Sequence, residues 1–250
     1  MIHVARSEEP DGFRQRAQDW ERRFTAEQTR DPQLSISKFW AEVRREIRPD
    51  AAILFRNFYG KCAFCESKMA HVSSPHIEHY WPKSKFPQRT FVWRNWLLSC
   101  GKCNEKKWAK TPFCDAIPCL INPTIEEPQK HIGFVGAITV EKTERGKKTI
   151  ELLGLKRQDL EEERSHWLDY LRQLLLLVTI PNFRQAARDC LIWAMQPEAP
   201  YSAMTRDYLN EKTPRLAHPI QPHPHVDLPD GVDRIKHLID ENIDALRALE

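Results

Sequence analysis

Glycine is scarce in this sequence, eight residues in 250, and none of them builds a Gly-rich phosphate loop. A nucleotide-sensing switch of that kind is therefore excluded. Long hydrophobic runs are also missing: a stretch such as Leu174 to Val178 falls far short of the roughly 20 apolar residues that cross a bilayer. Glu8, Glu9 and Asp11 stand where an export signal would need a basic start and an apolar core, so the expected location is cytoplasmic, with no membrane contact. There is no internal repeat. With 41% hydrophobic and 29% charged residues, the composition is that of a soluble globular protein, which excludes collagen and global disorder.

What the chain does have is seven cysteines, an odd number. A cytosolic chain of this size does not need disulfides. Four of the seven form two pairs, Cys62-Ala-Phe-Cys65 and Cys100-Gly-Lys-Cys103, with 34 residues between them. Zinc takes four ligands in a tetrahedron, and two such turns close one site. A closed four-cysteine site leaves no open coordination position, so this Zn2+ is expected to be structural rather than catalytic. Four thiolates and one Zn2+ sum to two negative charges, which Lys61, Lys68, Lys102 and Lys106 are placed to offset. A redox pair or buried thiols are the alternatives. Cys114, Cys119 and Cys190 read as packing residues or free thiols.

Charge is unevenly spread. Between Gly60 and Lys110 there are ten Lys/Arg against three acids, a block of +7 in a chain of net +3. A basic block inside an otherwise acidic chain points to a polyanion partner, although a solvated lysine face would look the same. Between the knuckles lies His76-Ile77-Glu78-His79-Tyr80-Trp81-Pro82-Lys83, and Asn95 and Asn104 follow. Glu78 and His79 would face opposite ways on a strand, so one can hold an ion while the other meets a water. Asn104 directly follows a zinc cysteine, at the start of an expected helix to Lys110. Glu78 and Asn104 together offer oxygens that suit Mg2+ or Mn2+. His76 shares the strand face of Glu78 and is a further ligand candidate. Lys83, Lys106 and Lys107 are candidate phosphate contacts. Trp81, Trp93, Trp96 and Trp108 could stack on unpaired bases, but they suit the small core of a zinc module better.

The expected architecture is α+β in five zones. Residues 1–59 read as helical, with segments Gly12 to Phe24, Ser37 to Ile47 and Ala51 to Tyr59. Residues 60–125 carry the zinc module. Residues 126–213 hold a hairpin, His131 to Val135 and Ala137 to Glu141, then helices Glu161 to Val178, Asn182 to Met195 and Ala203 to Leu209. Residues 214–230 form a proline-rich linker, and 231–250 an amphipathic helix.

The paired knuckles, Glu78-His79, Asn95 and Cys103-Asn104 with Lys107 three residues on resemble the HNH endonucleases. That resemblance implies a ββα-metal, zinc-stapled module with helical N- and C-terminal flanks. It implies His79 as general base, Glu78 and Asn104 as ligands of a catalytic Mg2+ or Mn2+, and Asn95 as the residue that fixes the loop and orients the histidine. The family more often has Asp where Glu78 stands, and the third letter here is Asn. Further matches, among them Ile121-Asn122-Pro123-Thr124 and Ile150 to Leu155, are similar to the HNH nuclease subunits (PtuB) of Septu-type phage-defence systems and related retron-linked systems. Their implication is a nuclease acting on DNA, with RNA possible, as effector subunit of an anti-phage complex controlled by a partner ATPase. Docking of that partner is expected at Arg14 to Phe24 or at the last helix. The alternative is a non-catalytic zinc-ribbon module that binds nucleic acid or protein.

Overall fold

The computed structural model describes residues 1–69, 75–107, 113–114 and 117–212; the proline-rich zone, the expected last helix and Trp108 lie outside them. Helix α1, Phe13–Arg30, buries Phe13, Ala17 and Trp20, the stripe that helical spacing predicts. Its apolar face is therefore engaged within the chain, which leaves its polar face for any partner. Helix α2, Ile36–Glu42, is N-capped by Ser35, whose hydroxyl accepts the Lys38 N–H. One 3-10 turn carries the chain to Arg45, so the expected single helix to Ile47 is a shorter helix and a tight turn. Helix α3, Arg48–Asn57, has Pro49 in its first turn. Proline opens a helix easily because the N–H it lacks would have had no partner there. The buried Asp50 pairs with Arg16 and ties α3 to α1.

Strands β1 (His76–His79) and β2 (Trp96–Ser99) are antiparallel, with His79 opposite Trp96 and His76 opposite Ser99. Helix α4, Gly101–Lys107, follows almost directly. Two minimal strands, β3 (Phe113–Cys114) and β4 (Ile117–Pro118), pair next. The hairpin of β5 (Ile132–Val135) and β6 (Ile138–Glu141) turns at Gly136, whose φ of 57° suits glycine.

Helix α5, Glu144–Leu153, is not among the expected helices, although Thr149, Ile150 and Leu153 fall at helical spacing and are buried together. It is capped by Thr143 and ended by the left-handed Gly154. Gly146 in its first turn is required by space, since a Cβ there would sit 2.0 Å from the His131 carbonyl oxygen. Helices α6 (Gln158–Leu177), α7 (Arg184–Ala194) and α8 (Ser202–Lys212) complete the described chain. Buried side chains from residues 1–59, 60–125 and 126–213 form one continuous core, so these zones are regions of one packed body. Among the described residues, no helix is long and apolar enough to cross a membrane.

Candidate metal centre and catalytic cluster

Cys62, Cys65, Cys100 and Cys103 are all buried, and their sulfurs lie within 4.8 Å of one another. A tetrahedron with Zn–S arms of about 2.3 Å has edges near 3.8 Å; Cys65 Sγ and Cys100 Sγ are 3.8 Å apart. The four cysteines could thus hold a structural metal such as zinc. Local backbone explains how. In the first knuckle Glu66 N–H donates to the Cys62 carbonyl, and Glu66 takes a positive φ of 64° to turn the chain back. The second knuckle is the first turn of α4, where Asn104 N–H donates to the Cys100 carbonyl. Ala63 N–H donates to Leu98 C=O at 2.8 Å, which fastens the first knuckle to β2.

The charge partners of this cluster differ from those the sequence suggests. Lys61 is buried and donates to Ala199 C=O, 3.5 Å from Glu66. Lys68 donates to Tyr59 C=O, and Lys102 pairs with Asp159 at 2.6 Å. The cation that reaches the sulfurs is Arg157, whose guanidinium lies 3.8 Å from Cys103 Sγ. Burial would lower its pKa, but the cysteines outweigh that and raise it. Arg157 stands 54 positions from Cys103, so spacing gives no sign of it. Among the remaining cysteines, Cys190 is buried beside Tyr170. Cys119 is disulfide-bonded, which corrects its reading as a packing residue or free thiol.

The strand pair brings Glu78 and His79 to the edge of α4. His79 is 3% exposed, and its Nε2 lies 3.0 Å from the Thr90 carbonyl oxygen. A carbonyl only accepts, so Nε2 carries the proton and Nδ1 holds the lone pair. Nδ1 makes no hydrogen bond among the described residues. Trp40 meets the ring edge-on at 4.6 Å, and Trp96 Nε1 donates to the same Thr90 oxygen at 2.6 Å. Burial, and then Lys83, push the His79 pKa down to about 3; the Thr90 contact opposes them and Lys107 adds to the fall. The imidazole is therefore neutral in the folded chain. Trp40 is not legible as a neighbour of His79, because it arrives through tertiary packing, and Thr90 reaches His79 only through the path of the loop between them.

Asn95 is 3% exposed. Its Oδ1 accepts Trp81 N–H at 2.7 Å, and its Nδ2 donates to Trp81 C=O and Arg89 C=O at 3.1 and 2.8 Å. It holds both ends of the loop that runs from the histidine strand to Thr90.

Glu78 is 8% exposed and pairs with Lys107, whose Nζ lies 2.6 Å from Glu78 Oε1 and 2.6 Å from the His79 carbonyl. Lys107 is wholly buried, so it is not the surface phosphate contact that the sequence suggests. Lys106 is exposed and its stem runs beside Gly154. Lys83 is half-buried, 6.0 Å from the Trp40 ring centroid. Asn104 is half-buried, one helical turn from Lys107 on α4. The Glu78 Oε2 oxygen and the Asn104 side-chain amide make no hydrogen bond among the described residues. That donor set, one carboxylate oxygen and one amide oxygen, fits a hard divalent cation. His76 lies at the first position of β1, near Gly101 at the start of α4. Of the tryptophans, Trp93 and Trp96 are buried in the core and Trp81 is half-buried.

Fold and site together define a class: a small strand–strand–helix unit bearing a buried four-cysteine cluster, set in a larger helical body. No family model matches the chain. It is similar to the Septu protein PtuB of Bacillus thuringiensis, at 35% identity over 40% of this chain. It is also similar to the Septu protein PtuB of Bacillus mycoides, at 27% identity over 64% of this chain and 74% of that relative. The first match spans 38% of its relative's length.

Proposed function

We propose that this chain is a metal-dependent endonuclease of the HNH type, with a ββα-metal module that hydrolyses phosphodiesters of DNA or RNA. The observation that carries the reading is His79, with one ring nitrogen fixed on a backbone carbonyl and the other left as a lone pair. That is the state a general base needs to take a proton from water. Glu78 and Asn104 would hold the Mg2+ or Mn2+, which supplies charge neutralisation at the phosphate and leaving oxygen. Asn95 holds the loop so that His79 keeps its orientation. The zinc on the four cysteines holds the frame. Lys83 and Lys106 are the accessible candidates for phosphate contact.

The likeness to two Septu proteins supports a role as the effector of an anti-phage defence complex, with a partner ATPase holding and licensing the nuclease. The second reading, a non-catalytic zinc-ribbon binding module, is favoured by one observation: the Glu78 carboxylate already has a lysine partner. The test is cleavage of plasmid and RNA with Mn2+ in the presence of the proposed partner ATPase. Glu78→Ala should abolish cleavage while zinc content stays at one per chain. Loss of zinc from Glu78→Ala, or full cleavage by it, would overturn the assignment.

A further inference from the structure

One lysine touches the carboxylate of the site, and a second acts on it at longer range. Lys107 has its ammonium on Glu78 Oε1 and on the His79 carbonyl, with no exposure of its own. Lys83, on the loop after β1, is attracted by Glu78 and repelled by Lys107. Glu78, Lys107 and Lys83 carry one formal positive charge between them before any ion or phosphate arrives. A divalent cation must then compete with the Lys107 ammonium for an oxygen that the ion would otherwise share.

We propose that Lys107 competes with the catalytic divalent ion for Glu78: its ammonium holds an oxygen that the ion needs and keeps ion affinity low until phosphate supplies negative charge. The proposal rests on the reading of Glu78 as an ion ligand. Its physical basis is that a carboxylate buried with an ammonium loses its partner's attraction when a second cation takes it. The pair also explains how Glu78 stays folded inside the module when no ion is bound. An uncompensated buried carboxylate is costly, and Lys107 removes that cost. Removing the lysine charge should therefore tighten ion binding rather than weaken it, the opposite of what a purely supporting residue would do.

The experiment is calorimetric titration of Mn2+ alone into the zinc-loaded protein without nucleic acid. Lys107→Gln keeps a hydrogen-bond donor at the position and removes the charge. It should bind Mn2+ about tenfold tighter or more, with circular dichroism and zinc content as in the wild type. Lys83→Gln, at a half-buried loop position, should tighten binding by a smaller factor, and it carries the test if Lys107→Gln fails to fold. Unchanged or weaker Mn2+ binding in the folded variants would overturn the proposal. Glu78→Ala separates the two levels of the argument: if it binds Mn2+ as the wild type does, the ligand assignment is wrong, and not only the competition.

Discussion

Replacing Asn95 with alanine removes three hydrogen bonds at once. Trp81 N–H loses its acceptor, and the Trp81 and Arg89 carbonyls lose their shared donor. Each such bond contributes about 1 kcal/mol net, and more when the abandoned partner stays away from water. Asn95 is 3% exposed, so little solvent can replace it. The expected loss is about 3–4 kcal/mol, a large fraction of the roughly 5–15 kcal/mol that holds a domain folded. Urea unfolding followed by circular dichroism, at constant zinc, should show the midpoint falling by about 1–2 M if the slope is near 2–3 kcal/mol/M. Asn95→Asp sharpens the test. It has nearly the same shape and keeps an acceptor for Trp81 N–H, but it turns a carboxylate oxygen toward two carbonyl oxygens. It should be at least as damaging as alanine. An aspartate variant about as stable as wild type, within roughly the 1 kcal/mol of a single hydrogen bond, would refute the hydrogen-bond assignment, and with it the idea that Asn95 fixes the loop.

Cys62→Ser or Cys103→Ser should release the zinc and unfold the module, since a structural zinc site contributes on the order of 10 kcal/mol to folding; zinc content and tryptophan fluorescence check this, and a folded serine variant free of zinc would contradict it. Glu66 gives a pH signature. Burial alone would raise its pKa, but the Met1 ammonium and Lys61 outweigh burial and bring it to about 2. A depressed folded pKa means stabilisation that is present above the unfolded value of 4.5 and lost as pH falls from there toward 2. Glu66→Gln should therefore be less stable than wild type at neutral pH, with the gap closing steadily below pH 4.5; a gap independent of pH in denaturant titrations would sink this assignment.

Local pattern is enough to give the type of several elements. The stripe of Phe13, Ala17 and Trp20 on α1 and the β5–β6 hairpin are examples. Boundaries shift where backbone chemistry overrides periodicity, as in the 3-10 turn after α2 and the proline that opens α3. Helix α5 carries Ile150 and Leu153 at helical spacing, but the close approach of Gly146 to His131 that seats its first turn is not a local pattern. The four cysteines are legible because a Cys-x-x-Cys turn is a local device. Arg157 beside Cys103 and Trp40 against the His79 ring are not, since each is brought in by packing between segments distant in sequence, and Thr90 reaches His79 only through the path of the loop between them. Lys107 shows the limit most clearly. Its position in the basic block suggests a solvent-facing phosphate contact, but the side chain turns inward to Glu78 because α4 lies against β1.

The most direct test of the central claim is cleavage by His79→Ala. Protein purified to the same zinc content as wild type, with the proposed partner ATPase and Mn2+, is offered supercoiled plasmid and RNA. Wild type should cut at least one of them, and His79→Ala should lose at least about a hundredfold of the rate, as removal of a general base implies. Cleavage at the wild-type rate by a clean His79→Ala preparation would contradict that claim.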